Sequence, residues 1–230
     1  MVTFYGFSQS KGDTLYVAAH SGLNLRTEPG TKAAKLVAIP KGGQVVILAD
    51  LDSSLAHSVT EFAGFDIKGF WVQVDYKGQV GYVFSGYLSG FKPFKNNKDW
   101  RGLIYNEAAY EYLWHNFANP KSINYYAIPD TCISGWTTHF GHGISYELFG
   151  ACMEGGAGII IEFSNHSLQE VYLFYLTMLS FPIKPIWDKE TKQILAFDTG
   201  SPEQDDGGAG CQDYIYQKGK TVILRRECSC

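Results

Sequence analysis

Gly22-Leu23-Asn24-Leu25-Arg26-Thr27-Glu28-Pro29-Gly30 is the stretch that decides how the first part of the chain folds. Leu23 and Leu25 alternate with Asn24 and Arg26, the two-residue period of a strand with one buried face. Thr27-Glu28-Pro29-Gly30 ends that strand, because proline removes a ladder donor and glycine tolerates positive φ. Working outward, Lys35 to Ile39 and Gln44 to Leu48 flank the turn Pro40-Lys41-Gly42-Gly43. Phe70 to Val74 and Gln79 to Val83 flank Tyr76-Lys77-Gly78, and Ser85-Gly86-Tyr87-Leu88 closes the series. Short β-branched strands between tight turns predict a small closed β-barrel.

This series resembles the bacterial SH3-type (SH3b) domain over about residues 12–90. The resemblance rests on Leu23 to Gly30, Lys41 to Leu48, Trp71-Val72-Gln73-Val74 and Gly78 to Leu88. Two features depart from the family pattern. Tyr82 stands where Trp is common, and an inserted loop of about residues 49–69 precedes Trp71. The resemblance implies an SH3-like barrel, work at the bacterial envelope, and a shallow aromatic groove for short peptides such as peptidoglycan stem peptides. On that reading Asn24, Arg26 and Glu28, projecting opposite to Leu23 and Leu25, bind ligand together with Trp71, Tyr82 and Tyr87. The competing reading makes Trp71 and Tyr87 core residues and Arg26 a barrel-closing hydrogen bonder. Trp71 fits the competing reading better, and Tyr82 fits both equally.

The 230 residues are enough for two moderate cores. Residues 1–90 hold seven basic and seven acidic side chains, and 91–230 hold twelve and sixteen. Neither part is the basic footprint that a phosphate backbone demands, which speaks against nucleic acid as a partner. Fifteen Tyr and fifteen Phe exceed what such cores need, so some rings are expected at the surface, where they suit peptide or sugar recognition.

The first twenty residues lack a basic n-region and an apolar h-region, and no run of about 20 apolar residues occurs. No transmembrane segment is expected. Two locations stay open: cytoplasmic, with Met1 as the native start, or periplasmic or extracellular, with a signal or lipoprotein anchor already removed. Cysteine usage favours the envelope, since Cys132, Cys152, Cys211, Cys228 and Cys230 all fall in or beside turn-rich segments of the second half. In a C-terminal hairpin turning at Lys218-Gly219, the residue opposite Cys211 is about 226, so Cys228 is within reach. A Cys211–Cys228 bridge is predicted, with Cys230 as the alternative partner and Cys132–Cys152 as a second pair.

Phe4, Tyr5 and Phe7 make residues 1–11 too aromatic for a free tail, and the 49–69 insertion is too apolar for a solvated excursion. It is expected to form a short helix or hairpin covering part of the barrel. Residues 91–98 read as a linker. Residues 99–230 read as an α+β domain of no recognised family. A helix runs from about Trp100 to Phe117, and strands over 143–151 and 158–163 follow. Ser167 and Glu170 form a capping box for an apolar helix over 168–179, buried on an antiparallel sheet. Hairpins over 183–197 and 213–226 complete the domain.

SH3b domains commonly accompany papain-like peptidases, so Cys132 with His139 or His142 is the first catalytic candidate. The segment Asp130 to Trp136 has one extra residue on each side of the cysteine, no helical pattern follows it, and both histidines lie too near. A disulfide or a buried structural thiol fits Cys132 better. His139-Phe140-Gly141-His142 supplies one loose pair where zinc wants two, and the acidic loop 203–207 lacks calcium-loop spacing. Glu154 to Gly158 precedes a strand, so it has no helix N-terminus for phosphate. Glu147/Glu162 and Asp188/Asp198 cannot be ranked as a glycosidase dyad without their spacing. No metal or cofactor is expected. The favoured reading is a non-enzymatic envelope binding protein, in which the SH3b module docks to a cell-wall peptide or protein and the second domain binds a partner. The alternatives are a peptidoglycan hydrolase with a Cys/His site, or an inhibitor or immunity-like protein of such an enzyme.

Overall fold

The computed structural model describes residues 9–93, 104–117, 120, 122–129, 133–150, 157–178, 185–198 and 211–228. The aromatic residues 4–7, Cys132, Cys152, Cys230 and the acidic loop 203–207 lie outside the described residues, so the Cys132–Cys152 pairing and the packing expected of the N-terminal tail do too. Among the described residues the chain is mostly β, with two eight-stranded sheets and two α-helices. It divides into two compact units, one of Met1–Lys95 with Tyr172–Pro182, the other of Asn96–Val171 with Ile183–Cys230.

In the first unit the strands are β1 (Thr14–Val17), β2 (Leu23–Arg26), β3 (Lys35–Ile39), β4 (Gln44–Ile47), β5 (Ala56–Phe62), β6 (Phe65–Tyr76), β7 (Gln79–Phe84) and β8 (Leu88–Ser89). They pair antiparallel in the order β3-β2-β7-β6-β4-β1-β8, with β5 added to β6. Leu15, Leu25, Ile39, Val45, Ile47, Val74 and Val83 come from six of these strands and meet in one core. On β2 the two-residue period picks out the inward residues, Leu25 in the core and Leu23 packed against it, whereas on β6 the core takes Val72 and Val74 and not Trp71, which the sequence reading favoured as a core residue. No rung joins β3 to β8, so strand pairing does not complete the closed ring expected from the alternation. Lys77 and Gly78, at φ of 55° and 84°, form the two-residue turn between β6 and β7. The insertion holds a single 3₁₀ turn (Ser53–Leu55) and a hairpin, with β5 running back along the first half of the twelve-residue β6. Phe91, in the stretch read as a linker, is buried and sets its ring against Phe174.

The second unit begins with α1 (Ile104–Asn116), then β9 (Ser122–Ala127), β10 (Ser134–His139), β11 (Ile144–Gly150) and β12 (Ala157–Ser164). After α2 (Leu168–Met178), of which only the residues up to Val171 belong to this unit, come β13 (Ile186–Asp188), β14 (Gln193–Asp198), β15 (Cys211–Lys218) and β16 (Thr221–Cys228). The sheet order is β13-β14-β15-β16-β12-β11-β10-β9. One face carries Ile159, Ile161, Phe163, Ile215, Val222 and Leu224, all buried. Tyr110 of α1 packs on that same face against Trp136 and Tyr146.

The sequence reading has two strands between the helices, whereas the structure has four. β9 and β10 escape the alternation test because five of the six β9 residues are exposed, which leaves only the strand preference of Tyr, Ile, Trp and Thr as a signal. Gly135 lets β10 approach β11 closely, since a Cβ there would lie 2.2 Å from the Leu148 carbonyl oxygen. The capping box forms as read. The Ser167 amide and hydroxyl donate to Glu170 Oε2 at 2.8 and 2.9 Å, and the Glu170 amide donates back to Ser167 Oγ at 3.2 Å. Val171 to Met178 are then buried without a break.

Cys211 and Cys228 are bonded and stand directly opposite each other on β15 and β16, Cα to Cα 4.1 Å. The turn lies at Gly219-Lys220, one residue beyond the expected position, which moves the residue opposite Cys211 from 226 to 228. On the same face, Asp213 opposes Arg226 in an ion pair of 3.5 Å, each side chain 4–5% exposed. Cys228→Ser is expected to lower unfolding stability by about 2–4 kcal/mol, the usual worth of a bridge closing a short loop. Chemical denaturation of the full chain measures this, and a non-reducing peptide map without a 211–228 cross-link would remove the assignment.

Candidate functional site

Outward-facing residues of β2, β7 and β6 form a continuous row. Arg26 opposes Tyr82, and Tyr82 opposes Gln73, so the three are cross-strand neighbours on the side away from the core. Lys35 extends the row, because a register shift after Leu25 brings it opposite Arg26. Tyr82 is half-buried, Val80 on the same side of β7 is 49% exposed, and Asn24 and Glu28 are exposed. Arg26 is partly engaged, since its Nη1 donates to the Ala33 carbonyl at 2.6 Å and ties down the loop after β2.

Trp71 lies on the same outer side, yet it is only 8% exposed and is not part of the central core. The inserted hairpin covers it. The His57 ring sits 5.8 Å from Trp71 and edge-on to Phe84 at 5.2 Å. Gly69 lets β6 pass close to the backbone at Gly86, because a Cβ there would fall 2.4 Å from the Gly86 amide nitrogen. Tyr87 is half-buried and donates its hydroxyl to Glu61 of β5. Tyr172 donates to the other oxygen of the same carboxylate at 2.9 Å, and its ring meets Phe62 and Phe65 edge-on. Desolvation, reinforced by Glu61, holds both phenols well above the usual tyrosine range.

Away from this row, a groove of about 540 Å³ is lined by residues including Lys41, Gln44, Val46, Asp75 and Lys77. Lys41 donates from Nζ to the Leu176 carbonyl at 2.5 Å, in the last turn of α2. Burial pushes its amine down to about 8.

The remaining candidates do not converge. His139 is exposed at the end of β10, and His142 is exposed in the following turn at φ 60° with its ring against Phe117. Among the described residues no three His, Cys, Asp or Glu side chains are grouped to hold a metal. Glu147 accepts from the Tyr126 hydroxyl at 2.5 Å, and Glu162 lies 3.4 Å from the Ser145 hydroxyl. Asp188 caps its own turn through the Glu190 amide and the Thr191 hydroxyl, and those bonds hold its carboxyl below the usual range.

The first unit is thus a small antiparallel module with one core and, on its outer side, the half-buried Tyr82 ring among polar neighbours. Residues 21–89 match the family model of the bacterial SH3 domain, so the chain carries a bacterial SH3 domain at this position. No curated protein and no solved structure matches the chain. A bacterial SH3 domain points to cell-wall-related binding in general and is typical of extracellular and envelope proteins. No helix among the described residues is long and apolar enough to cross a membrane.

Gln73 was legible as the outward residue between Val72 and Val74, whereas Lys35 was hidden by the register shift. Glu61 had no sequence signal, because its two partners are 26 and 111 residues away.

Glu61→Ala is expected to cost about 1–3 kcal/mol, since it strands the buried Tyr172 hydroxyl. A urea melt reads this, and an unchanged midpoint would deny Glu61 its anchoring role. The Lys41 amine has a folded pKa below its unfolded one, so the folded state binds the proton less tightly. Its contribution to stability is therefore least favourable below about pH 8 and improves as pH rises toward the ordinary lysine range. NMR of ¹³C-methylated lysines should find one resonance titrating near 8, lost in Lys41→Met.

Proposed function

We propose that this chain is a non-enzymatic binding protein of the bacterial envelope. Its SH3 domain docks to a peptidoglycan stem peptide or a protein partner, and the second domain serves as a further partner-binding part. The observation that carries the reading is the Tyr82 ring, half-exposed and in register with Arg26 on one side and Gln73 on the other. An aromatic surface bordered by a cation and an amide suits a short peptide bearing carboxylates and backbone amides. Asn24, Glu28 and Lys35 form the rim, while Trp71 and Tyr87 support the row from beneath the hairpin.

Co-sedimentation of the full chain with purified sacculi tests the row. Tyr82→Ala is expected to weaken binding by about tenfold, the usual effect of losing a contacting aromatic. The thermal melt should stay nearly unchanged, because Tyr82 lies outside the core. Equal binding by the variant would take the docking role away from this face.

A further inference from the structure

β9 ends the eight-stranded sheet of the second unit and pairs with β10 through six consecutive rungs without a bulge. Among the described residues its outer edge meets no strand. Its sequence, Ser122-Ile123-Asn124-Tyr125-Tyr126-Ala127, has no charge, no proline and no glycine. Tyr125 is 80% exposed and Ile123 43%. An open edge of this kind is a template for a further strand, and proteins ordinarily guard such edges with charges, proline, bulges or shortness. The opposite edge of the same sheet is guarded in that way: β13 has three residues, follows Pro185 and ends at Asp188.

We propose that β9 is a docking edge and that its occupant is β9 of a second copy of this chain. The strand itself supplies the argument for that occupant. In an antiparallel pair, residues facing each other across a rung share one face of the joined sheet. Two copies related by a two-fold axis keep their faces continuous only if the axis passes through a residue position. With Asn124 opposite its own counterpart, Ile123 of each copy faces Tyr125 of the other, once on each side of the axis. Ser122 then faces Tyr126 on the other face. Aromatic against β-branched is among the favourable cross-strand pairs, and no like charges meet anywhere along the strand. The pairing is isologous and uses up both β9 edges, and the short, guarded β13 cannot propagate it, so assembly stops at two. This inference does not depend on the SH3 row: Tyr82→Ala should leave it untouched.

Sedimentation velocity of the full chain over a concentration series is the test. A reversible dimer is expected. Tyr125→Lys should raise its dissociation constant by at least about tenfold, because an ammonium then faces Ile123 twice across the axis. Tyr125 is so exposed that the variant should keep its circular dichroism and melt. Under mild oxidation Asn124→Cys should cross-link two copies, with the bridge mapped to the substituted position in both. A monomer at all concentrations overturns the proposal, and so does a dimer indifferent to Tyr125→Lys. A chain whose β9 amides gain hydrogen-exchange protection only on adding sacculi would assign the edge to another occupant, and that also overturns it.

Discussion

Water must be kept off the outer side of β6. Trp71 and Phe84 are large rings that face away from a core already filled by Val72, Val74 and Val83. Left bare, they would form an apolar patch on the back of the sheet. The hairpin of β5 and β6 answers this locally, because β6 is long enough to serve both the sheet and its own cover. Glu61 then anchors the hairpin. Its carboxylate receives one phenol from the 3₁₀ turn at Ser85–Tyr87 and one from α2, so each oxygen has a donor. The row at Tyr82 lies beyond the reach of this cover, and for that reason it stays open while Trp71, on the same side of the sheet, does not.

The second unit manages its strands by other means. A disulfide and a buried ion pair lie two residues apart on one face of β15 and β16. The ion pair is a weak source of net stability, since desolvation offsets the attraction, but removing one partner would leave an uncompensated charge. The bridge acts differently, by limiting the unfolded chain. Together they hold the register of the hairpin at its open end, where the turn at Gly219-Lys220 has least influence. The two edges of this sheet contrast sharply, one short and flanked by proline and acid, the other long, neutral and aromatic.

Much of this architecture was legible in the residues. Alternation at Leu23 to Arg26 and the turns at Pro40 to Gly43 and Lys77-Gly78 located the SH3 domain and most of its strands. Ser167 with Glu170 located α2, and the spacing of Cys211 and Cys228 pointed to their bridge. These signals are local: a strand's period, a cap and a hairpin's turn involve residues close in sequence. β9 and β10 escape a sequence reading, because an exposed edge strand carries no burial alternation and its neighbour shows little of it.

Which outward residues face water was beyond the sequence. The two-residue period put Trp71, Gln73 and Tyr82 on one side of a sheet, and it contains nothing to say that His57 lies over the first and leaves the others open. The same holds for Glu61, whose acceptor role requires Tyr172 to come within 2.9 Å across 111 positions of chain. The sequence alone determined most of the strands, the turn at Lys77-Gly78, the cap and the family of the N-terminal domain, because neighbouring residues dictate all of them. The tertiary structure alone decided which half of a strand is covered and which edge meets no strand among the described residues, because burial is a property of what the rest of the chain brings alongside.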